Sequence, residues 1–403
     1  MTGDKLLNIL LIVIDALRPD HLGCYGYERE TSPEIDALAA QGVRFERVVS
    51  ESSWTKAAVA SLLSGTISES HGVKTISDCL SCGDSYLPTI LRNVGYVTGC
   101  VQTNPFLTTA AGFAQGFDHY IELFDSAPGV YKPRVQEMIP IVSDWIDYFG
   151  GSPFFLYLHL LDTHHPYEPS KMYQQFGSDA QSLYDGEIRC VDHHIRLIRD
   201  ILVQKGVSEK TLYIVTSDHG EEFEDHGGSF HAKHLYEEVL RVPLIISSPE
   251  AIPSGLSVPT QVRSIDILPT ILNLVGLPPQ PGHHGETLCP LFTSSLSSDR
   301  LAVSQIGSEQ STTDPTIAVS DGEYKVIWNM RADSQELYHL AGDPGELHNL
   351  INHEPTVART LLAQGKALIE PFRESQHRYR AKPKAADVDA DMLMRLRGLG
   401  YLE

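Results

Sequence analysis

Acidic and imidazole side chains follow three apolar stretches of the chain, at the points where buried strands are predicted to end. The stretch 6–14 stops at Asp15, and the stretch 212–215 leads into Asp218 and His219. The third stretch, 154–158, is followed by a cluster of polar residues: His159, Asp162, His164 and His165. The carboxyl ends of parallel strands meet at one edge of a sheet, and carboxylates together with imidazoles bind divalent metals. We therefore expect one shared metal site at this edge.

A hydroxyl group belongs to the same chemistry. Residues 56–63 are strong helix formers and Gly65 stops the run, so Thr55 lies at or just before a helix N-terminus. Free N–H groups and the helix dipole favour an anion there, either a deprotonated hydroxyl or a bound oxyanion. A simple N-cap role for Thr55 is the alternative that the pattern leaves open.

Apolar runs that alternate with helical segments and glycine turns predict an α/β fold, in which helices sandwich a mostly parallel sheet. A Thr-Ser-Pro-Glu cap at 31–34 begins the first helix, and Gly42 stops it. The other predicted strands are 96–101, 154–159, 212–216 and 242–246, and the other predicted helices are 88–93, 135–149, 183–205 and 266–275.

The texture of the sequence changes near residue 278, where prolines and then serines accumulate. We expect a catalytic domain over 1–290, a small antiparallel α+β subdomain over 300–380 and a tail over 381–403. Within the subdomain we expect strands at 316–319, 324–328 and 335–340 and a helix at 354–369, and in the tail 392–402 is expected to dock back.

Composition limits the partners. The 403 residues include 52 acidic and 31 basic side chains, a net charge of −21, which argues against binding nucleic acid. A small anionic substrate stays compatible, because a bound cation would set the local field. The run 6–14 is too short for a membrane span and lacks a signal cleavage site, so we expect a cytoplasmic protein. The Cys79 and Cys82 pair stands alone among six scattered cysteines, and oligomeric state is not readable.

Several motifs, in this order and spacing, resemble the sulfatase branch of the alkaline phosphatase superfamily, and the resemblance covers nearly the whole chain. The motifs are DALRPDHLGCYG at 15–26, the Thr55 segment with its SLLSG ending at 61–65, SDHGE at 217–221, RVPLI at 241–245, ELY at 336–338 and DPGE at 343–346. The resemblance implies an alkaline phosphatase-like fold and hydrolysis of anionic esters at a metal centre.

The chain departs from the sulfatase pattern at its centre. Sulfatases mature a Cys or Ser, the first residue of a Cys-x-Pro-Ser-Arg pattern, to formylglycine, whereas this chain has Thr55 there and Val59 at the arginine position. Ala16 also stands where calcium-dependent sulfatases commonly carry a second aspartate. In these respects the chain is similar to threonine-nucleophile relatives, namely phosphodiesterases, phosphonate monoesterase-like enzymes and phosphoethanolamine or phosphoglycerol transferases.

The resemblance implies a first metal held by Asp15, Thr55, Asp218 and His219. This mixed donor set suits Zn²⁺ or Mn²⁺ better than Ca²⁺, with Ca²⁺ or Mg²⁺ as alternatives and one or two ions in all. On the substrate side, the resemblance assigns His164 and His231 to the oxyanion, the leaving group or a second cation. Further candidates to contact or neutralise the substrate are Asp162, Asn104, Lys233 and Arg18.

From these residues we predict a metal-dependent hydrolase of phosphate mono- or diesters, with phosphonate esters included, that uses Thr55 as its nucleophile. Two alternatives are enzymes: a sulfuric ester hydrolase that works without formylglycine, and a transferase that passes the phospho group to an alcohol. A third alternative is an inactive binding module that retains the fold.

Overall fold

The computed structural model describes residues 6–124, 132–293, 298–307, 313–379 and 394. An eight-stranded sheet forms its centre, in the order β10-β2-β9-β6-β1-β5-β3-β4. The strands up to β10 are β1 (Asn8–Ile14), β2 (Gly42–Val49), β3 (Val97–Gln102), β4 (His119–Glu122), β5 (Phe154–Leu160), β6 (Thr211–Thr216), β7 (Glu222–Phe223), β8 (Ser229–Phe230), β9 (Arg241–Ser247) and β10 (Leu256–Arg263). The short strands β7 and β8 pair with each other outside the central sheet.

The sheet is mostly parallel, as predicted. β1 lies between β5 and β6 and runs parallel to both, which brings the carboxyl ends of these three strands together. β9 is antiparallel to β6 and to β2. The sequence pattern missed β2, β4 and β10: β2 carries charged residues at alternate positions, β4 is only half-buried, and β10 contains Pro259.

Helices cover both faces of the sheet. They are α1 (Pro33–Ala40), α2 (Thr55–Ser64), α3 (Ser68–His71), α4 (Leu87–Asn93), α5 (Met138–Tyr148), α6 (Ala180–Gln204), α7 (Glu237–Leu240), α8 (Ile267–Leu274) and α9 (Pro355–Tyr379). Alternate residues of β1 enter two separate cores: Ile9 packs in the core that includes residues of α2 and α8, and Leu10 in the core that includes residues of α5 and α6. Burial on both faces explains why β1 is continuously apolar.

Two predicted helices begin with a short 3-10 turn. Asp266 stands at the N-cap position of α8, as expected, but its side chain makes no capping hydrogen bond there. It closes the preceding turn Ser264–Asp266, where its carboxylate accepts a hydrogen bond from the Arg263 N–H at 2.9 Å. The turn Val135–Glu137 precedes α5 in the same way. The C-terminal antiparallel sheet follows, with β11 (Ala302–Ile306), β12 (Thr316–Ser320), β13 (Tyr324–Asn329) and β14 (Ser334–His339) paired in sequence order. β11 was not predicted, and the helix expected at 354–369 is the longer α9.

Residues 392–402, predicted to dock back, lie outside the described residues apart from Met394, which is exposed. Residues 125–131 of the loop before α5 also lie outside them. None of the described helices is both long enough and apolar enough to cross a membrane.

Candidate metal centre and active site

Asp15 follows the last residue of β1 and is completely buried. The next residue, Ala16, has a positive φ of 57°, which is uncommon for a residue with a side chain. Its backbone is held on both sides: the Ala16 N–H donates to Asp218 Oδ1 at 3.3 Å, and the Tyr184 hydroxyl donates to the Ala16 carbonyl at 2.7 Å. The chain thus turns sharply after β1 and leaves the Asp15 carboxylate at the strand end.

Asp218 and His219 follow β6 in the same way. Ser217 fixes their backbone, because its hydroxyl lies within hydrogen-bonding distance, 2.6 Å, of both the Ile14 and the His219 carbonyl oxygens. Nδ1 of His219 donates to the Gly220 carbonyl at 2.9 Å. The other ring nitrogen, Nε2, therefore presents its lone pair to the carboxylates and lies 3.6 Å from an oxygen of Asp15 and from an oxygen of Asp218.

The structure adds His159 to this group. It belongs to β5, opposite Val13 of β1, and its Nε2 lies 3.6 Å from Asp218 Oδ2 and 4.0 Å from Asp15 Oδ2. Ligand atoms of Asp15, His159 and Asp218 lie within 4.8 Å of one another. The sequence pattern named His159 as a polar residue at a strand end but did not assign it to the metal. The parallel pairing of β5 with β1 would have been the signal.

The donor atoms fit a divalent cation. Asp15 Oδ1, Asp218 Oδ2 and both ring nitrogens of His159 are buried and have no hydrogen-bond partner among the described residues, a costly arrangement that a bound cation would relieve. Burial and the charge of Asp218 raise the pKa of Asp15 well above its usual range. Burial also opposes ionisation of Asp218, but the adjacent His219 and His159 outweigh it and lower the pKa of Asp218.

Thr55 is the first residue of α2 and is completely buried. Its hydroxyl lies 3.2 Å from His219 Nε2 and 3.4 Å from Asp15 Oδ2. The carboxamide of Asn104 donates to Asp15 Oδ2 at 2.7 Å and to the Thr55 oxygen at 3.3 Å. Three of the predicted metal ligands thus meet at one point with Asn104, which was predicted as a substrate contact. Trp54, and not Thr55, is the N-cap residue of α2, so Thr55 is not the simple N-cap that the sequence left open.

Two further histidines lie beside the candidate metal ligands. The His231 ring is 4.2 Å from the His219 ring and 4.8 Å from the His164 ring, between ring centres. Nδ1 of His231 lies 2.8 Å from Glu221 Oε1, and Nδ1 of His164 donates to the His165 carbonyl at 2.6 Å. Burial lowers the pKa of both histidines and raises the pKa of Glu221 to about 7.

The other predicted substrate contacts, Asp162, Lys233 and Arg18, interact with other partners in the structure. Asp162 is buried, but its carboxylate accepts a hydrogen bond from the Val135 N–H at 3.0 Å and lies 3.8 Å from Arg134. The side chain of Lys233 is exposed and lies over the Phe230 ring at 5.8 Å. Arg18 forms ion pairs with two aspartates, Asp20 and Asp225, at 2.7 and 2.8 Å.

Comparison with known proteins places this site in a family. The Sulfatase family model matches residues 7–277, and the model of the N-sulphoglucosamine sulphohydrolase C-terminal region matches residues 225–370. The chain therefore belongs to the sulfatase family. It is an ester hydrolase by this membership, with the alkaline phosphatase-like fold of the family.

Individual relatives agree with this assignment. The arylsulfatase of Clostridium perfringens is 24% identical over an alignment that covers 86% of this chain and 90% of the relative. A protein solved with its substrate D-glucosamine-2-N,6-O-disulfate has a TM-score of 0.73 at 18% identity and covers 94% of this chain and 99% of its own. The phosphonate monoester hydrolase of Agrobacterium radiobacter has a TM-score of 0.74 at 20% identity, with 91% and 96% covered.

Proposed function

We propose that the protein is a metal-dependent hydrolase of sulfuric esters in which the Thr55 hydroxyl is the nucleophile. One observation carries this proposal: the Thr55 oxygen at the start of α2 is within 3.2 to 3.4 Å of His219 Nε2, Asn104 and Asp15 Oδ2. A threonine hydroxyl is a weak nucleophile by itself, so it needs neighbours that accept its proton or stabilise its anion.

The residues of the chain divide into two roles. Asp15, His159, Asp218 and His219 would hold the metal together with Thr55, and a bound divalent cation would lower the pKa of the hydroxyl and stabilise charge on the substrate oxygens. His219 would bind the metal through Nε2, since its Nδ1 already donates to a carbonyl, and the Thr55 oxygen lies 3.2 Å from that nitrogen. His231 and His164, on the other side of His219, would contact the oxyanion and protonate the leaving group.

The donor set favours Zn²⁺ or Mn²⁺. Two carboxylates and two imidazoles form a mixed oxygen and nitrogen set, whereas Ca²⁺ and Mg²⁺ prefer oxygen ligands alone. His159 strengthens this preference, because it adds a second imidazole to the set predicted from the sequence.

Family membership supports the choice of sulfuric esters. The matching family model and the Clostridium perfringens relative are sulfatases. We therefore put sulfuric esters first, in place of the phosphate esters predicted from the sequence. A small anionic sulfated molecule would be the substrate.

Phosphate and phosphonate esters form a second candidate class, and Thr55 is the observation that favours them. Formylglycine releases sulfate from a hemiacetal adduct, whereas a threonine ester must be cleared by water at sulfur or phosphorus. Nearby cations assist that attack more when the transferred group carries more negative charge. The fold shared with a phosphonate monoester hydrolase accommodates this chemistry.

The test measures kcat/KM for four matched 4-nitrophenyl substrates: a sulfate, a phosphate monoester, a phosphodiester and a phenylphosphonate. Each is assayed with the Zn²⁺, Mn²⁺, Ca²⁺ and Mg²⁺ forms of the purified protein. The proposal expects the highest kcat/KM on the sulfate ester with Zn²⁺ or Mn²⁺. A higher kcat/KM on the phosphate or phosphonate esters would transfer the assignment to the second class. If Thr55→Ala had no effect on the turnover of any substrate, Thr55 would not be the nucleophile for either class of ester.

A further inference from the structure

His231 occupies an unusual stretch of backbone. The residues on either side of it, Phe230 and Ala232, both have left-handed φ angles, 72° and 65°, although neither is glycine. Such conformations are uncommon for residues with side chains and persist only where surrounding contacts determine them. The contacts that hold this stretch therefore decide where the His231 ring lies.

Ser53 supplies two of these contacts. Its carbonyl accepts a hydrogen bond from the Ala232 N–H at 2.9 Å, and its hydroxyl donates to the His234 carbonyl at 2.8 Å. Ser53 is itself completely buried. One serine thus forms hydrogen bonds with the backbone at two positions that follow His231 in the chain, residues 232 and 234.

The same serine is close to the nucleophile in the chain. Only Trp54 separates it from Thr55, and Trp54 is extended, with φ −150° and ψ 147°, before α2 begins. A short extended link allows little variation in the distance between Ser53 and Thr55. Ser53 therefore connects the stretch that carries Thr55 to the stretch that carries His231.

A second set of contacts, through Glu222, links residues before and after His231. Nε2 of His234 donates to Glu222 Oε2 at 2.6 Å, while Glu222 Oε1 accepts from the Gly228 N–H at 2.8 Å. Glu222, His234 and Glu238 also lie close enough together to be considered as metal ligands. However, Nδ1 of His234 accepts a hydrogen bond from the Tyr236 N–H, so its Nε2 carries the proton that binds Glu222, and the group is satisfied internally.

We propose that Ser53 is a positioning residue that sets the placement of His231 relative to Thr55. This inference rests on the proposed role of His231 on the substrate side of the site. The side chain of Ser53 does not contact the metal ligands in any described hydrogen bond. Its effect on catalysis would pass through the backbone of Ala232 and His234.

The chain offers a matched control one residue away. Ser52 is also completely buried, and its hydroxyl also donates to a backbone carbonyl, that of Gln305 in β11, at 2.7 Å. Ser52→Ala and Ser53→Ala therefore remove the same kind of hydrogen bond from the same segment. Only Ser53→Ala removes a bond to the His231 stretch.

The experiment measures kcat and KM of Ser53→Ala and Ser52→Ala on the aryl ester that the wild-type protein cleaves, together with thermal unfolding. We expect Ser53→Ala to lower kcat about tenfold or more with KM within about twofold, because small misplacements of reacting groups cost that much. Ser52→Ala should keep kcat within about twofold. Ser53→Cys, which keeps the bulk but is a weaker donor, replaces Ser53→Ala if the alanine variant does not fold.

A double-mutant cycle separates this inference from the proposed function. If Ser53 acts through His231, the Ser53→Ala effect should disappear in a His231→Ala background. Equal kcat losses in Ser53→Ala and Ser52→Ala, or an undiminished Ser53→Ala effect without His231, would overturn the inference while the proposed function stands. Full activity of His231→Ala alone would instead remove the role of His231 in the proposed function.

Discussion

The Glu221 carboxylate lies 2.8 Å from Nδ1 of His231, and its other oxygen accepts a hydrogen bond from the Tyr167 hydroxyl at 2.7 Å. Glu221 comes two residues after His219, so one loop after β6 carries both this proposed metal ligand and the carboxylate that orients His231. The contact between Glu221 and Nδ1 fixes the orientation of the His231 ring. From the sequence, Glu221 was named only as part of the SDHGE motif at 217–221.

Glu221→Gln should therefore weaken catalysis without removing the metal. The neutral amide can occupy the same space, but it holds His231 with less charge, and we expect kcat to fall by about 10- to 100-fold, within the range for acid-base groups. Tyr167→Phe is the matched control, because it removes only the other partner of Glu221. Metal content and steady-state kinetics are measured for both variants, and equal kcat in the wild-type and Glu221→Gln proteins would contradict the account.

His159→Ala should reduce metal occupancy. The ring nitrogens of His159 have no described hydrogen-bond partner, and Nε2 faces two carboxylates, so the substitution removes a ligand. His119→Ala serves as the control. His119 lies on the edge strand β4 and packs against Trp145. Metal per chain after dialysis is measured by elemental analysis. Retention of a full equivalent by His159→Ala, with unchanged turnover, would show that His159 is not a ligand.

His71 should make the protein less stable in acid. Its Nδ1 accepts from the Val73 N–H at 3.1 Å and its Nε2 lies 2.9 Å from the Ser61 hydroxyl, an arrangement that requires the neutral ring. Burial lowers the pKa of His71 to about 3, whereas in the unfolded chain it is about 6.5. Between these values the unfolded state binds the extra proton, so the free energy of unfolding falls as pH falls through this window.

His71→Gln removes this titration. Between pH 7.5 and pH 5.5 the wild-type protein should lose about 1 kcal/mol more of its unfolding free energy than the variant does. Urea unfolding at both pH values measures the difference. The same pH dependence in both proteins would mean that the pKa of His71 is not lowered in the folded state.

The sequence predicted the strands that carry the site because they are buried on both faces and so are continuously apolar. β1, β5 and β6 are the three central strands, and their polar ends meet as expected. β2 was missed because its buried residues alternate with Arg44, Glu46 and Arg47, a pattern that depends on pairing with β9 and β10. Such pairing is a long-range property that local composition does not report.

Within the site, Asp15, Thr55, Asp218 and His219, which the sequence predicted to hold the first metal, converge in the structure. The sequence could not distinguish His159, which points at two carboxylates, from Asp162, whose carboxylate lies toward Val135 and Arg134. His159 lies within β5, and Asp162, three positions later in the chain, follows that strand. Only the pairing with β1 decides which of the two reaches Asp15. Ser53 carried no signal at all, because its importance lies in two backbone contacts.

The most direct test of the central claim is to trap the adduct on Thr55. The metal-loaded protein is mixed with its best aryl ester, quenched in acid within one turnover, and digested, and the peptide that contains residue 55 is analysed by mass spectrometry. The account predicts a sulfo or phospho group on Thr55 in the wild-type protein, none in Thr55→Ala, and turnover that Thr55→Ser retains in part. An active protein whose residue 55 never carries the group, or an active Thr55→Ala variant, would contradict it.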